Sequence, residues 1–418
     1  MCTIKKSLLI LIIINISLFS INCKKQENIQ NLKPEEIYYQ ENTVTGGCSK
    51  FMEVRHIIIK GSNYAIGKKI AEIAKRMNIA PKPSGNRILN RIQRKYIKNN
   101  YPEFYERMKG IADAYGIDIN NDNYDFSHLW IIPIESFACS VVFYPKSVTE
   151  NHHDILSRNF DFIREPSIIS KVYIFELYPN KGYASLSVCS FDLLGGVLDG
   201  VNSEGLAVAV LGEEETITKY GNHPSTKGIG MYELLILRYL LDKCRNVEEA
   251  KEALLYLKHY YTFMPCHFII ADRNGKSFIF EFSSFRNSTY IVNGNGPQCV
   301  TNHPVYKYKS MNEFPEELKS KLNSYDRYQK LINQLKGRDN FSIDEIIKIN
   351  DSVANSALPL EKPGVPPNRT LWHSLYDLQE LNLRIKFYLD EKKDISAPHG
   401  KRIYYSDYLL FNLKKIYY

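Results

Sequence analysis

The sequence predicts an α+β layered domain, with helices stacked on antiparallel sheet and a mostly helical segment in front of it, on three observations. Before residue 139 the apolar residues recur with a helical period. After it the chain turns to strand-like runs and tight turns. The elements then come in blocks (strands, two helices, strands, helices, strands) instead of alternating one for one. At 418 residues, 44% hydrophobic and 24% charged, the chain can bury a large core, and length alone suggests two to three units. The formal net charge of +8 comes from scattered lysines and arginines. That pattern reads as a solvated basic surface and not as a nucleic-acid-binding one.

The first 22 residues read as a signal. Lys5-Lys6 is a charged n-region and Leu8 to Phe19 an apolar stretch too short for a comfortable membrane span. Ser20-Ile21-Asn22-Cys23 is similar to a bacterial lipobox, so Cys23 is the expected lipidation site; plain secretion or an uncleaved anchor are the alternatives. A lipid there would make the membrane a partner and place the protein at the cell envelope. Residues 23–45 are polar and proline-containing and read as a tether.

Residues 46–138 read as mostly helical. A short strand-like run, Met52 to Ile59, precedes Ile66, Ile70, Ile73 and Ala74 on one helical face. Further helices are expected from about Arg87 to Lys98 and from Pro102 to Tyr115. Beyond residue 139, Val172–Tyr178 and Tyr183–Val188 flank Pro179-Asn180-Lys181-Gly182 as a hairpin. Val197 to Gly205 is a turn-rich approach to the run Leu206–Leu211. Met231–Lys243 has the apolar spacing of a helix, and Asn246 with Glu249 marks the capped start of a second. His267–Ala271 and Ser277–Phe282 form another hairpin, helices recur at Ser324–Leu335 and Ile343–Asn350, and two strands close the domain at Leu371–Tyr376 and Leu381–Leu389.

The chemistry concentrates in Ala138-Cys139-Ser140-Val141-Val142-Phe143 and the run Ile155-Leu156-Ser157-Arg158-Asn159-Phe160-Asp161. Paired as a hairpin, these return Arg158 and Asp161 to the end of the sheet where Cys139 begins. A thiol, a cation and a carboxylate within reach of one another are what a thiolate nucleophile needs. If cleavage before Cys139 frees its α-amine, that amine takes the thiol proton; Arg158 holds the thiolate or a substrate carboxyl, and Asp161 orients the amine. A strand-end Arg158–Asp161 ion pair is the structural alternative. The eight cysteines contain no CxxC pair, leaving room for one disulfide, and no metal or cofactor is implied.

These stretches, with others, resemble the Ntn hydrolases of the linear-amide group: the penicillin acyltransferase-like self-cleaving enzymes and the choloylglycine hydrolases. Ile57 to Gly67 resembles the "RGSPYEIG" opening of the propeptide, and Gly110 to Ile117 its "GMAEGAGV". Ser157 to Asp161 matches "GRNLD" and Gly200 to Val208 matches "GINEKGLAV". The resemblance implies a four-layer αββα sandwich, a pro-segment over 46–138, a catalytic domain over 139–418, and cleavage between Ala138 and Cys139. It also implies a small-molecule amide as substrate. Val300-Thr301-Asn302-His303-Pro304 matches "LTNSP", making Asn302 a candidate oxyanion or amine contact. Ser324-Tyr325-Asp326-Arg327 matches "S..R", making Arg327 an active-site arginine, with a surface ion pair to Asp326 as its alternative.

The chain departs from the family pattern in having Ala138 where glycine usually precedes the cysteine. It has Gly212 where some relatives carry an asparagine, followed by Glu213-Glu214-Glu215. These departures keep a second reading open, that of an inert lipoprotein using the same shell for binding. Gly46-Gly47-Cys48 offers a Gly-Cys step, but no Arg…Asp return follows it at hairpin distance.

Overall fold

Two sheets organise the computed structural model, which describes residues 37–47, 49–131, 138–164, 171–215, 228–262, 265–283, 288–308, 310–314, 322–355, 368–397 and 400–413. The larger has nine strands, in order β1 (Ile37–Gly46), β2 (Glu53–Gly61), β5 (Lys171–Pro179), β6 (Ser185–Cys189), β7 (Val197–Asn202), β8 (Leu206–Gly212), β9 (Cys266–Asp272), β10 (Ser277–Ser283) and β11 (Ser288–Asn293). The other has seven. β12 (Gln298–Val300), β3 (Ala138–Tyr144), β4 (Ile155–Ile163), β13 (Asn368–Asp377), β14 (Asn382–Lys393) and β15 (Lys401–Tyr405) run in that order, and β16 (Leu409–Asn412) pairs with β14.

Side chains alternate between the faces of a strand, and β3 shows how that alternation builds layers. Cys139, Val141 and Phe143 point into the core shared with the nine-stranded sheet. Val142 and Tyr144 point the other way, onto Leu331 of α6 (Ser324–Leu335) and Ile346 of α7 (Ile343–Asp351). On the far side of the larger sheet, α4 (Glu233–Lys243) packs over β7 and β8, and α5 (Val247–Tyr256) packs beside β9. The result is the four-layer αββα sandwich.

The N-terminal part departs from the expected tether and helical layer. Residues 37–46 form β1, pairing antiparallel with β2 from Ile37↔Gly61 to Gly46↔Glu53 with a bulge between Thr43 and Thr45. The run reads as a tether because it is an edge strand: only one side of it is covered, so polar residues are tolerated along most of its length. β2 in turn pairs in parallel with β5, from Glu53↔Lys171 to Gly61↔Pro179. Residues 34–418 thus pack as one unit instead of the two to three that length suggests. Cys23 and the rest of 1–36, and Cys48, lie outside the described residues.

The helices α1 (Asn63–Arg76), α2 (Arg87–Asn100) and α3 (Pro102–Ala114) form where periodicity placed them. Two glycines of the propeptide-like motifs set their packing. A Cβ on Gly67 would lie 2.0 Å from the Arg107 carbonyl oxygen, and one on Gly110 would lie 2.1 Å from that of Tyr64. α1 and α3 therefore meet backbone to backbone, which only glycine permits. At α5, Asn246 accepts from the Glu249 N–H at 3.0 Å, but the Glu249 carboxylate accepts from Arg245 N–H and not from the cap itself.

Candidate active site

The β3–β4 hairpin has the register needed to collect the site: Ala138 pairs with Asp161, Cys139 with Phe160 and Val141 with Arg158. Cys139 and Arg158 share the inward face, and both are fully buried. Arg158 Nη2 lies 3.2 Å from Cys139 Sγ and donates to the Val210 carbonyl at 2.8 Å. Its Nη1 donates to Asp199, and its Nε is buried without a hydrogen-bond partner among the described residues. Asp199 is itself fixed by Tyr376, whose hydroxyl donates to Oδ1 at 2.6 Å, and by Trp372 Nε1 at 3.4 Å from Oδ2.

Asp161 faces the opposite side of β4. Thr370 donates to its Oδ1, while Oδ2 is buried without a hydrogen-bond partner and lies 3.8 Å from Arg327 Nη1. Burial raises the Asp161 carboxyl above its ordinary range, and Arg327 opposes the shift.

Asn302 and Arg327 complete the group. The Cys139 N–H donates to Asn302 Oδ1 at 3.0 Å, and Asn302 Nδ2 donates to the Gly212 carbonyl at 2.7 Å. Arg327 donates through Nη2 to Asn302 Oδ1 at 2.5 Å and through Nη1 to the Cys139 carbonyl. Of its two expected roles, Asn302 is therefore arranged as the contact to the Cys139 nitrogen. Arg327 is nearly buried and points inward, away from the surface pairing with Asp326. Gly212, where some relatives carry asparagine, contributes its carbonyl as the anchor for Asn302. Glu214 hydrogen-bonds through its N–H to the Asn302 carbonyl at 2.7 Å, which ties the triple-glutamate segment to the same loop.

Burial pushes the Cys139 thiol up to about 11, with Arg158 opposing and Asp161 adding to the rise. The group is protonated at neutral pH, and among the described residues its hydrogen-bond neighbours are Arg158 Nη2 and, at 3.9 Å, the Val210 carbonyl. Five cysteines among the described residues are free thiols, all buried: Cys139, Cys189, Cys244, Cys266 and Cys299. Among the described residues, no group of three His, Cys, Asp or Glu side chains is arranged to hold a metal.

Sequence reasoning missed Asp199. It lies in Val197-Leu198-Asp199-Gly200-Val201, and a carboxylate inside an apolar run is the signal: it cannot be buried without a cation, and Arg158 is that cation. Trp372, Tyr376 and Thr370 were missed for a different reason, since their roles depend on β13 lying next to β4 across two hundred residues of chain.

Comparison with known proteins adds the following. The sequence model of one family, described as Acyl-coenzyme A:6-aminopenicillanic acid acyl-transferase, matches residues 148–394. No curated protein matches the chain. Among solved structures, a mutant of the conjugated bile acid hydrolase from Clostridium perfringens is similar at 17% identity and a TM-score of 0.47, covering 64% of this chain and 96% of that one. The penicillin V acylase from Agrobacterium tumefaciens is similar at 18% identity and a TM-score of 0.39, covering 60% and 82%.

Proposed function

The chain belongs to the acyl-coenzyme A:6-aminopenicillanic acid acyl-transferase family, and from that premise we propose that it is a self-cleaving Ntn hydrolase acting through Cys139 on the amide bond of a small N-acyl compound. The observation that carries the reading is the arrangement around one residue. Arg158 touches the Cys139 thiol, Asn302 takes its N–H, Arg327 takes its carbonyl, and Asp161 pairs with the residue before it.

The proposed first step is internal. Cys139 Sγ attacks the Ala138 carbonyl carbon, the proton from the thiol passes to the departing Cys139 nitrogen, and the peptide becomes a thioester. Water then hydrolyses it, leaving an Ala138 carboxylate and a free α-amine on Cys139. Asn302 Oδ1 already accepts from that nitrogen, and the partnerless Asp161 Oδ2 offers a second acceptor for the ammonium form. The amine, with an unperturbed pKa of roughly 7.7–8.0, is the base that the buried thiol lacks in the precursor.

In the second step the amine takes the thiol proton and the thiolate, stabilised by Arg158, attacks the substrate carbonyl. The tetrahedral oxyanion collapses as the leaving amine takes the proton from the α-ammonium, and an acyl-thioester remains. Water releases the acid; another amine in place of water gives acyl transfer. Both outcomes use the same residues.

Intact mass and N-terminal sequencing of the protein expressed from Lys24 onward test the reading. Two chains, one beginning at Cys139, are expected, together with release of amine from a panel of N-acyl amides. A single uncut chain without turnover would sink it. The cell-envelope location through a lipid on Cys23 rests on the lipobox-like sequence. It predicts incorporation of labelled palmitate that is lost in Cys23→Ala.

A further inference from the structure

The peptide between Thr301 and Asn302 is held at both of its polar atoms. Its N–H donates to Ser324 Oγ at 2.7 Å, and its carbonyl lies 2.6 Å from His267 Nε2. His267 sits on β9 directly opposite Glu281 on β10, so the two side chains share a face, with Nδ1 2.9 Å from Glu281 Oε1. Glu281 also accepts from Val305 N–H on Oε1 at 2.7 Å and from Tyr306 N–H on Oε2 at 2.8 Å. One buried carboxylate and one buried ring therefore secure the loop on both sides of Asn302.

The hydrogen-bond partners fix the protonation. A carbonyl oxygen only accepts, so Nε2 carries a hydrogen. A carboxylate already receiving two backbone N–H groups faces Nδ1. If Nδ1 were bare, two lone-pair sites would oppose each other at hydrogen-bond distance in a water-free setting. A proton therefore lies between Nδ1 and Oε1. Other titratable groups on this side are His303, on the same loop, Arg327, Tyr325 and Tyr328 on α6, and Tyr308. The His303 ring is pushed down to about 3 by burial first and then by the positive charges of His267 and Arg327.

We propose that His267 and Glu281 are positioning residues, sharing one proton and thereby fixing the Asn302 amide against the Cys139 nitrogen. They touch neither the thiol nor a substrate and act through the Thr301 carbonyl and the Val305 and Tyr306 N–H groups. The proposal rests on the reading of Cys139 as nucleophile for its catalytic consequence, and on the hydrogen bonds alone for the brace.

Three variants of the full chain separate these two parts. His267→Phe keeps a ring but removes both contacts, and His267→Gln restores a single N–H donor toward Thr301. Glu281→Gln keeps the side chain's shape and supplies an N–H to a neutral ring. In ¹⁵N-histidine spectra the wild type is expected to show one ring, absent in His267→Gln, with both nitrogens protonated at neutral pH. Amide exchange of residues 301–306 is expected to speed up at least tenfold in His267→Phe and to be largely restored in His267→Gln. On the amide substrate, kcat should fall about 10- to 100-fold in His267→Phe with KM little changed. In Glu281→Gln the same spectra are expected to show a singly protonated His267 ring. A singly protonated His267 ring in the wild type would overturn the proposal, as would unchanged exchange in folded His267→Phe or a loss carried in KM. A wild type that neither cuts itself nor turns over amides would refute the Cys139 reading instead, and the spectra and exchange rates would still decide the brace.

Discussion

Two clusters of buried arginine and carboxylate lie on either side of the nine-stranded sheet, and only one of them touches a thiol. In the first, Arg158 spans Asp199 and the Cys139 thiol. In the second, Asp242 of α4 receives two guanidinium groups, Arg107 of α3 at 2.7 Å and Arg238 at 2.6 Å, with a hydrogen bond from Tyr101. Arg107 also donates to Asn63 at 2.8 Å, and Asn63 to the Lys181 carbonyl at 2.8 Å, so this cluster bolts the helices before residue 139 to the strands and helix after it. Both are fully buried, the first pairing one arginine with one carboxylate and the second two arginines with one. What also differs is the group within reach: a thiol in one, and in the other only hydroxyls, an amide and backbone. A buried ion pair is therefore no sign of catalysis by itself, and the second cluster reads as the seam between the two parts of the chain.

The largest effect expected is at the thiol. Cys139→Ala should leave a single uncut chain and lower amide turnover by at least about 10⁴-fold, because no other group in the site can form the acyl intermediate. Intact mass and product release read both, and turnover that survived the change would erase the distinction between the clusters.

Asp242→Asn tests the other side of the comparison. It leaves Arg107 and Arg238 buried without a full counter-charge, a loss of roughly 3–5 kcal/mol in stability. Denaturant unfolding should show that loss while kcat of the remaining folded protein is unchanged. Asp199→Asn should also lower stability, since it leaves Arg158 buried without its carboxylate, but it should lower kcat as well. Tyr376 and Trp372 still hold the side chain, but Arg158 loses its anchor, and kcat should fall about 100-fold, equivalent to ~2.7 kcal/mol in the barrier. If Asp199→Asn changed only stability and Asp242→Asn changed kcat, the assignment of the two clusters would be reversed.

How much of this was legible follows from what each residue depends on. Cys139, Arg158 and Asp161 share one hairpin, so strand period and a turn sufficed to bring them together. Asn302 and Arg327 arrive from distant strands and helices, and only a family-like motif pointed to them. Asp199 could have been found by asking what neutralises a carboxylate among valines and leucine, but its partner is set by how two sheets face each other. The parallel pairing of β2 with β5 has no local signal at all, since the partners are separated by more than a hundred residues and either strand would fit many neighbours. β1 was hidden because edge strands are written in polar residues, like tethers.

Acid should separate the two regions next. His303, beside Ser324 and Arg327 at the site, and His373, between Ser157 and Tyr408 on the sheet below it, are each pushed down to about 3 by burial. Their folded values lie below the unfolded value near 6.5, so the unfolded chain binds more protons between these limits. The stability they contribute is full above about pH 6.5 and is lost as pH falls toward 3, by up to about 1.4 kcal/mol per pH unit for each ring. No histidine belongs to the Asp242 cluster. Amide exchange at pH 5 is thus expected to rise in the strands of the seven-stranded sheet and in α6 before it rises in α3 and α4, and His373→Gln should flatten the acid slope by up to half.

The smallest effect expected marks the scale against which the others are read. α5 follows α4 directly, and its first turn is secured by Asn246 accepting from the Glu249 N–H. The reciprocal half of a capping box is missing, because the Glu249 carboxylate is turned to the Arg245 N–H. A single cap of this kind is worth about 1 kcal/mol, so Asn246→Ala should lower unfolding stability by about that amount. The helix lies near Asp242 in sequence but shares none of its hydrogen bonds, and it is remote from Cys139 in the layer order. Self-cleavage and kcat should therefore be unchanged in Asn246→Ala. A drop in kcat from so small a loss of stability would mean that turnover follows general loosening of the outer helix layer, and the selective effects expected of Asp199→Asn and Asp242→Asn could no longer be assigned to their separate clusters.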